Sequence, residues 1–158
     1  MDYLVNQDGI NNLFDSKTHT EIIDRINQLS EQSERQWGKM NVSQMLAHCK
    51  EAFKVPLRNK PIPRMFIGRI FGWMAKGKLY DEKPWGKNLP TAPNFIIQDE
   101  RDFEIEKSAL LELIKQFYTL GPDGVGHFPH PFFGTLTKEQ WGKSMWKHID
   151  HHLKQFGV

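Results

Sequence analysis

The chain lacks most of what would set it apart from an ordinary globular protein. Its single cysteine, Cys49, has no partner for an internal disulfide. A disulfide-stapled secreted scaffold is therefore excluded, and a reducing, cytoplasmic setting is expected. Twenty-one basic residues against nineteen acidic ones leave a net charge of only +2. That removes the strong positive field on which nucleic acid binding leans, and no nucleic acid partner is expected. No apolar run approaches the ~20 residues of a membrane-spanning helix. The opening MDYLVNQDGINN lacks the basic start and apolar middle of a secretory signal. There is no internal repeat, no low-complexity tract, and no Asn-Gly turn between alternating runs that would announce a hairpin. What the chain has in surplus is aromatic: eleven Phe and five Trp in 158 residues, enough to serve as core, cavity lining or interface. The surplus permits a homodimer without demanding one.

The length suits one domain, spanning residues 1–158, with a core of real size. Apolar periodicity is helical throughout. Residues 1–15 carry no firm element, although Leu13 and Phe14 could pack an arm onto the body. A first helix is expected from Thr18 to Ser33, with Ile22, Ile26 and Leu29 on one face and Ile23 beside them. A second begins after Asn41, where Gln44 three positions on completes a capping box, and Pro56 is expected to stop it. Arg64 to Tyr80 is apolar, but Gly68, Gly72 and Gly77 weaken it as a helix. Residues 81–98 contain three prolines and read as a long loop, a length that often signals function. A fourth helix is expected from Asp102, its cap, to Leu120, with Gly121 ending it. Phe103, Leu110, Ile114 and Phe117 form its stripe. Residues 121–136 are a Gly- and Pro-rich loop. The last helix runs from Lys138 to Phe156, opened by a Thr137/Gln140 capping box and closed by Gly157. Four or five helices joined by loops predict an all-α bundle.

The last helix carries three histidines. With His148 at zero on a wheel of about 100° per residue, Trp141, Met145, Phe156, Ile149, Leu153 and Trp146 fall at about 20, 60, 80, 100, 140 and 160°. His152 lies inside that arc at about 40°, and His151 lies about 60° the other way, among Gln155, Ser144 and Lys147. On the second helix, His48 stands at the edge of the arc formed by Val42, Met45, Leu46, Cys49 and Phe53. His148 stands in the same relation to its own arc. Two histidines four apart aim their nitrogens at one point, and a third from a facing helix completes three protein ligands with a fourth position open. His48, His148 and His152 are thus candidate ligands of a divalent metal. The competing reading makes them boundary residues hydrogen-bonded at the edge of the core.

The stretch Met-Asn-Val-Ser-Gln-Met-Leu-Ala-His48 resembles the second-helix histidine motif of the DinB/YfiT-like superfamily. The ending Trp-Lys-His148-Ile-Asp-His151-His152-Leu-Lys-Gln-Phe-Gly resembles its last-helix motif. The lead-in at 130–141, His-Pro-Phe-Phe-Gly-Thr-Leu-Thr-Lys-Glu-Gln-Trp, is similar to a DinB-like branch of unassigned function. The resemblance follows helix order over most of the chain and is specific at residues 39–53 and 130–157. It implies a DinB-like four-helix bundle with long loops, and a divalent metal (zinc, nickel or similar) held by His48, His148 and His152. It also implies a small-molecule substrate and chemistry of the hydrolase or thiol S-transferase kind, with a low-molecular-weight thiol as a further cofactor in the second case. Such an ion lowers the pKa of a bound water or thiol. His151 departs from the pattern and is the candidate catalytic residue.

Other features have plainer readings. Cys49 adjoins His48, but neighbours on a helix point about 100° apart, so a buried small hydrophobe is the better reading. His127 and His130 read as exposed loop residues, or as part of a loop folded over the site with Phe132 and Phe133. Residues 54–78 hold Lys54, Arg58, Lys60, Arg64, Arg69, Lys76 and Lys78 without an acid, interleaved with Phe66, Phe71 and Trp73. A solvated basic face is the first reading there, because glycines and prolines make a poor amphipathic helix; a site for an anionic substrate, or a membrane-surface element, which is not expected, is the other. The alternative function is a non-catalytic helical module that binds a partner or membrane through this basic aromatic region.

Overall fold

Helix propensity and capping decide where the elements begin, and burial decides where they lie. A computed structural model describes residues 11–158 and contains α1 (Ser16–Gln28), α2 (Val42–Leu57), α3 (Phe66–Ala75), α4 (Phe103–Gly124) and α5 (Lys138–Gln155). Short 3-10 turns follow at Lys76–Leu79 and Pro93–Phe95. No strand occurs among the described residues, where the one bridge pairs His130 with Gly134. The regular structure of the described residues is all-helical, as the periodicity predicts. Both capping boxes form: Asn41 with Gln44, and Thr137 with Gln140. At the far end of α5, Gly157 has φ +78, its N–H donates to the Lys154 carbonyl, and the Val158 N–H donates to the Leu153 carbonyl. With the Phe156 N–H, which also donates to the Leu153 carbonyl, these bonds close the helix by satisfying carbonyls of its last turn.

Several boundaries differ from expectation. α1 ends at Gln28 rather than Ser33, because Leu29 turns extended and Ser33 Oγ accepts from the Ser30 N–H. Serine hydroxyls offer the backbone such local alternatives to the helix. Lys107 Nζ then donates to the Leu29 carbonyl from α4. α2 runs one residue past Pro56, which sits inside its final turn, and the Pro56 carbonyl accepts from the Gly126 N–H. In α4, Gly121 takes φ 67 and ψ −176 and breaks the helix where it is expected to end, after which one more turn reaches Gly124.

The core is made of the stripes that periodicity marks. Ile22, Ile26 and Leu29, then Val42, Met45, Leu46, Cys49 and Phe53, then Leu110, Ile114 and Phe117, then Trp141, Ile149 and Leu153 are all buried. α2 packs chiefly along α4, and α5 touches α1, α2 and α4. The Phe53 ring meets Phe117 edge-on at 5.8 Å, and Phe14 stacks on Phe117 at 4.7 Å. The arm does pack: Leu13 is fully buried and its N–H donates to the Gly142 carbonyl. Each large apolar side chain buried this way contributes about 1.5–3 kcal/mol. A helix cap contributes about 1 kcal/mol, so packing outweighs capping in holding the helices together.

α5 is more enclosed than its wheel implies. Ser144, Lys147, Asp150 and Gln155, on the side away from the apolar arc, are also buried. Lys147 Nζ donates to the carbonyls of Lys78 and Asp81 and to the Asp81 carboxylate. Asp150 accepts from Arg25 of α1 at 2.8 Å. The loop after α3 and the first helix therefore cover the polar side of α5, and buried polar groups stay affordable only because each finds a partner.

Candidate metal centre

The site lies where α2 and the last two turns of α5 face each other. A capping box starts each helix at a fixed residue, and each apolar arc then sets the rotation, so His48, His148 and His152 turn to a common point. His48 and His152 are buried and His148 is half-buried. Their ring centroids stand 5.0, 4.7 and 4.9 Å apart, and one nitrogen from each falls within 4.8 Å of the others. His48 Nε2 and His148 Nε2 are 3.1 Å apart. A tetrahedral zinc with Zn–N bonds of about 2.0–2.1 Å would separate two ligand nitrogens by about 3.3 Å. The three side chains are thus close enough to hold a metal ion.

Two of the rings are oriented from behind. His48 Nδ1 lies 2.8 Å from the Phe95 carbonyl, which can only accept, so Nδ1 carries the proton and Nε2 presents a lone pair. His152 Nδ1 lies 2.8 Å from Gln155 Oε1, and Gln155 Nε2 in turn donates to the Trp37 carbonyl at 2.8 Å. That second bond fixes the amide, so His152 Nδ1 is also the protonated nitrogen. Histidine ligands of metals usually have the far ring nitrogen held in this way. His148 Nδ1 is buried and has no hydrogen-bond partner among the described residues.

Burial also sets the charge. All three rings are pushed below the ordinary histidine pKa, first by desolvation and then, for His148 and His152, by the neighbouring imidazoles; His152 is lowered to about 3. Near neutral pH the cluster therefore consists of uncharged imidazoles, the form that ligates metal.

His151 lies outside this three-nitrogen cluster. It is half-buried, its ring 5.2 Å from His152 and 5.6 Å from both Trp37 and Trp85. It lines an open cleft of about 740 Å³ together with Trp37, Trp85, Trp146, Lys83 and Lys87. Trp85 stands between the cleft and the cluster, edge-on to His148 at 5.8 Å. Its indole N–H donates to the Lys78 carbonyl, the same oxygen that Lys147 holds. The family described as Protein of unknown function (DUF1569) matches residues 13–157. The chain belongs to this family. The match takes in all three cluster histidines, His151, and the segments that orient them. No curated protein and no solved structure matches the chain.

Cys49, beside His48, is fully buried; its thiol is pushed up by desolvation and lies 3.7 Å from Met45 Sδ. It faces the core, as its wheel position predicts. His127 is exposed, but His130 is not a free loop residue. His130 Nδ1 accepts from the N–H groups of Phe132 and Phe133, its ring packs on Trp141, and burial lowers its pKa to about 4. The backbone of Phe132 lies against α3. Four contributors escaped the periodicity: Trp37, Trp85, the Phe95 carbonyl and Gln155. Gln155 alone had a readable signal, standing three residues after His152 on the same helix, within side-chain reach.

Proposed function

We propose that the chain is a divalent-metal-dependent enzyme acting on a small molecule, a hydrolase or thiol S-transferase on a DinB-like four-helix bundle. In this reading α1, α2, α4 and α5 are the bundle and α3 lies outside it. The observation that carries the proposal is the convergence of three imidazoles, two with their Nε2 lone pairs fixed toward the centre by the Phe95 carbonyl and Gln155. A bound zinc or nickel ion would supply a nucleophile by lowering the pKa of a water or of a low-molecular-weight thiol. The chain's residues do the rest. His48, His148 and His152 stay neutral and offer lone pairs. Trp85 shields His148 from the cleft. His151, half-buried at the border of cleft and cluster, is kept neutral by desolvation and so can accept a proton from a substrate or thiol. Trp37, Trp85 and Trp146 give the cleft flat apolar walls, and Lys87, 4.8 Å from the Trp37 ring centroid, adds a positive charge at its edge.

The test is metal titration with elemental analysis of wild type, His48→Ala and His152→Ala. Stoichiometric divalent metal in wild type and its loss in both variants supports the site, and equal binding in all three proteins removes it. Metal-loaded wild type and His151→Ala are then assayed for hydrolysis of activated esters and for transfer of a small thiol to an electrophile. Turnover in neither assay would overturn the enzymatic part.

A further inference from the structure

A surface helix normally turns its apolar arc inward. α3 does the reverse. With Phe66 at zero, Ala75, Gly68 and Gly72 fall at about 180, 200 and 240°. This small-residue face is pressed on the 131–133 backbone: a Cβ on Gly68 would lie 2.5 Å from the Phe132 carbonyl oxygen, and one on Gly72 only 2.1 Å. The Met65 N–H donates to the Pro131 carbonyl, and Lys76 Nζ to the Thr135 carbonyl, which ties down both ends. Arg69 stands alone at about 300°, and the arc from about 340 through 140° is Trp73, Phe66, Ile70, Met74, Ile67 and Phe71 without a polar residue. All six are exposed, Phe66 at 76% and Trp73 at 73%. The glycines thus do not spoil an amphipathic helix; they let it lie flat with its large apolar side outward. Contiguous apolar surface of this kind marks an interaction site.

Charge selects the occupant. Residues 54–80 contain seven basic side chains and no acidic one, so with a total of +2 the remainder of the chain carries −5. Lys60, Arg69 and Lys78 are exposed and pair with no carboxylate among the described residues. Pairing with a second copy about a two-fold axis would bring the like charges of this segment together. An anionic lipid surface offers an apolar phase to the outward face and opposite charge to the basic side chains of this segment. At ten residues the helix is about 15 Å long, half the ~30 Å hydrocarbon thickness, so it lies in the interface and does not cross it. We propose that α3 docks the protein on anionic membrane surfaces, with Phe66, Ile70, Trp73 and Met74 entering the lipid and Lys60, Arg69 and Lys78 contacting headgroups. This inference is independent of the histidine site.

The experiment is flotation of the full chain with vesicles of phosphatidylcholine alone and of phosphatidylcholine mixed with phosphatidylglycerol, at low and high salt. Binding to the mixed vesicles is expected, weakening as salt rises. Each basic residue near an anionic surface is worth about five-fold, so the triple variant Lys60→Glu, Arg69→Glu, Lys78→Glu is expected to bind more than about 100-fold more weakly. Phe66→Ser with Trp73→Ser is expected to abolish binding. These positions are exposed, so both variants are expected to keep the wild-type circular dichroism and melting transition, which shows that a loss is not unfolding. Equal binding to both vesicle types, no binding to either, or binding untouched by both variants would overturn the proposal. So would a dimer that the Phe66/Trp73 variant dissociates in a protein that ignores vesicles, because a second copy would then cover the face.

Discussion

Helices α2 and α3 follow one another in the chain and are built inside out relative to each other. α2 turns Met45, Leu46, Cys49 and Phe53 inward and hides a histidine at the edge of that arc. α3 turns two glycines inward and shows six large apolar side chains to the outside. Both have an apolar arc, and a wheel alone does not say which way the arc faces. The neighbour decides. α2 meets α4 and α5 through large side chains, whereas α3 meets a backbone, that of Phe132, and only a face without side chains lets it come so close.

The sharpest test of that contrast compares two phenylalanines. Phe53→Ala on α2 empties a fully buried site beside Phe117 and is expected to cost ~3–5 kcal/mol of unfolding free energy in urea titration. A loss below 1 kcal/mol would mean that α2 is not the inward helix. Next in size, Gln155→Ala removes the acceptor that orients His152 and is expected to weaken divalent metal binding ~10–100-fold in calorimetric titration while the chain stays folded. Unchanged affinity would show that the ring needs no support from behind. Gly72→Ala puts a methyl group on the Phe132 carbonyl and is expected to cost about 1–3 kcal/mol. Proteolysis near residues 64–76 should rise with it, and a neutral outcome would say that α3 does not sit this close.

The pH dependence is the next step down. His130 titrates near pH 4 in the folded protein, below its ordinary value of 6.5. The unfolded chain takes up that proton first, so stability is lost as pH falls from 6.5 towards 4. One such group gives a slope of about 1.4 kcal/mol per pH unit in that window. His152, titrating near 3, adds to the fall in metal-free protein. His130→Asn keeps an acceptor for the two backbone N–H groups and should flatten the urea midpoint measured at pH 7 and pH 5. A slope equal to wild type would mean that His130 is not buried. The smallest effect belongs to α3 itself: Phe66→Ala is expected to stay within ~0.5 kcal/mol of wild type in the same urea titration. A large loss would place that ring against protein rather than outside.

Much of the cluster was legible because its parts obey local rules. Asn41 and Thr137 start their helices at fixed residues, and a rotation of about 100° per residue then carries His48, His148 and His152 to one side. The same arithmetic put His151 toward the rim, where it does stand apart from the three nitrogens. What the wheel could not show was the far side of α5. Ser144, Lys147 and Gln155 look like a solvent face, yet tertiary neighbours bury them: Lys147 binds the loop after α3, and Gln155 binds Trp37. Residues 81–98 have no periodicity, so nothing local announced that Trp85 covers His148 or that the Phe95 carbonyl holds His48. Nor does any local pattern announce the packing of His130, since its partners are backbone N–H groups two and three residues on and an indole from another element. Gly68 and Gly72 weakened the third helix on propensity, and they turn out to be the reason it can lie where it does.

Two of the three cluster rings are steadied by segments outside the five α-helices. The Phe95 carbonyl belongs to the loop before α4, and the Trp37 carbonyl, acting through Gln155, to the loop before α2. Occupancy of the cluster and order in those two loops are therefore linked quantities. Whatever free energy an ion gains from finding both rings in place, it returns to the loops as added closure, and a loosened loop lowers affinity by the same amount. The histidines would then work as a clasp, fastening two stretches of irregular chain across the end of the helices.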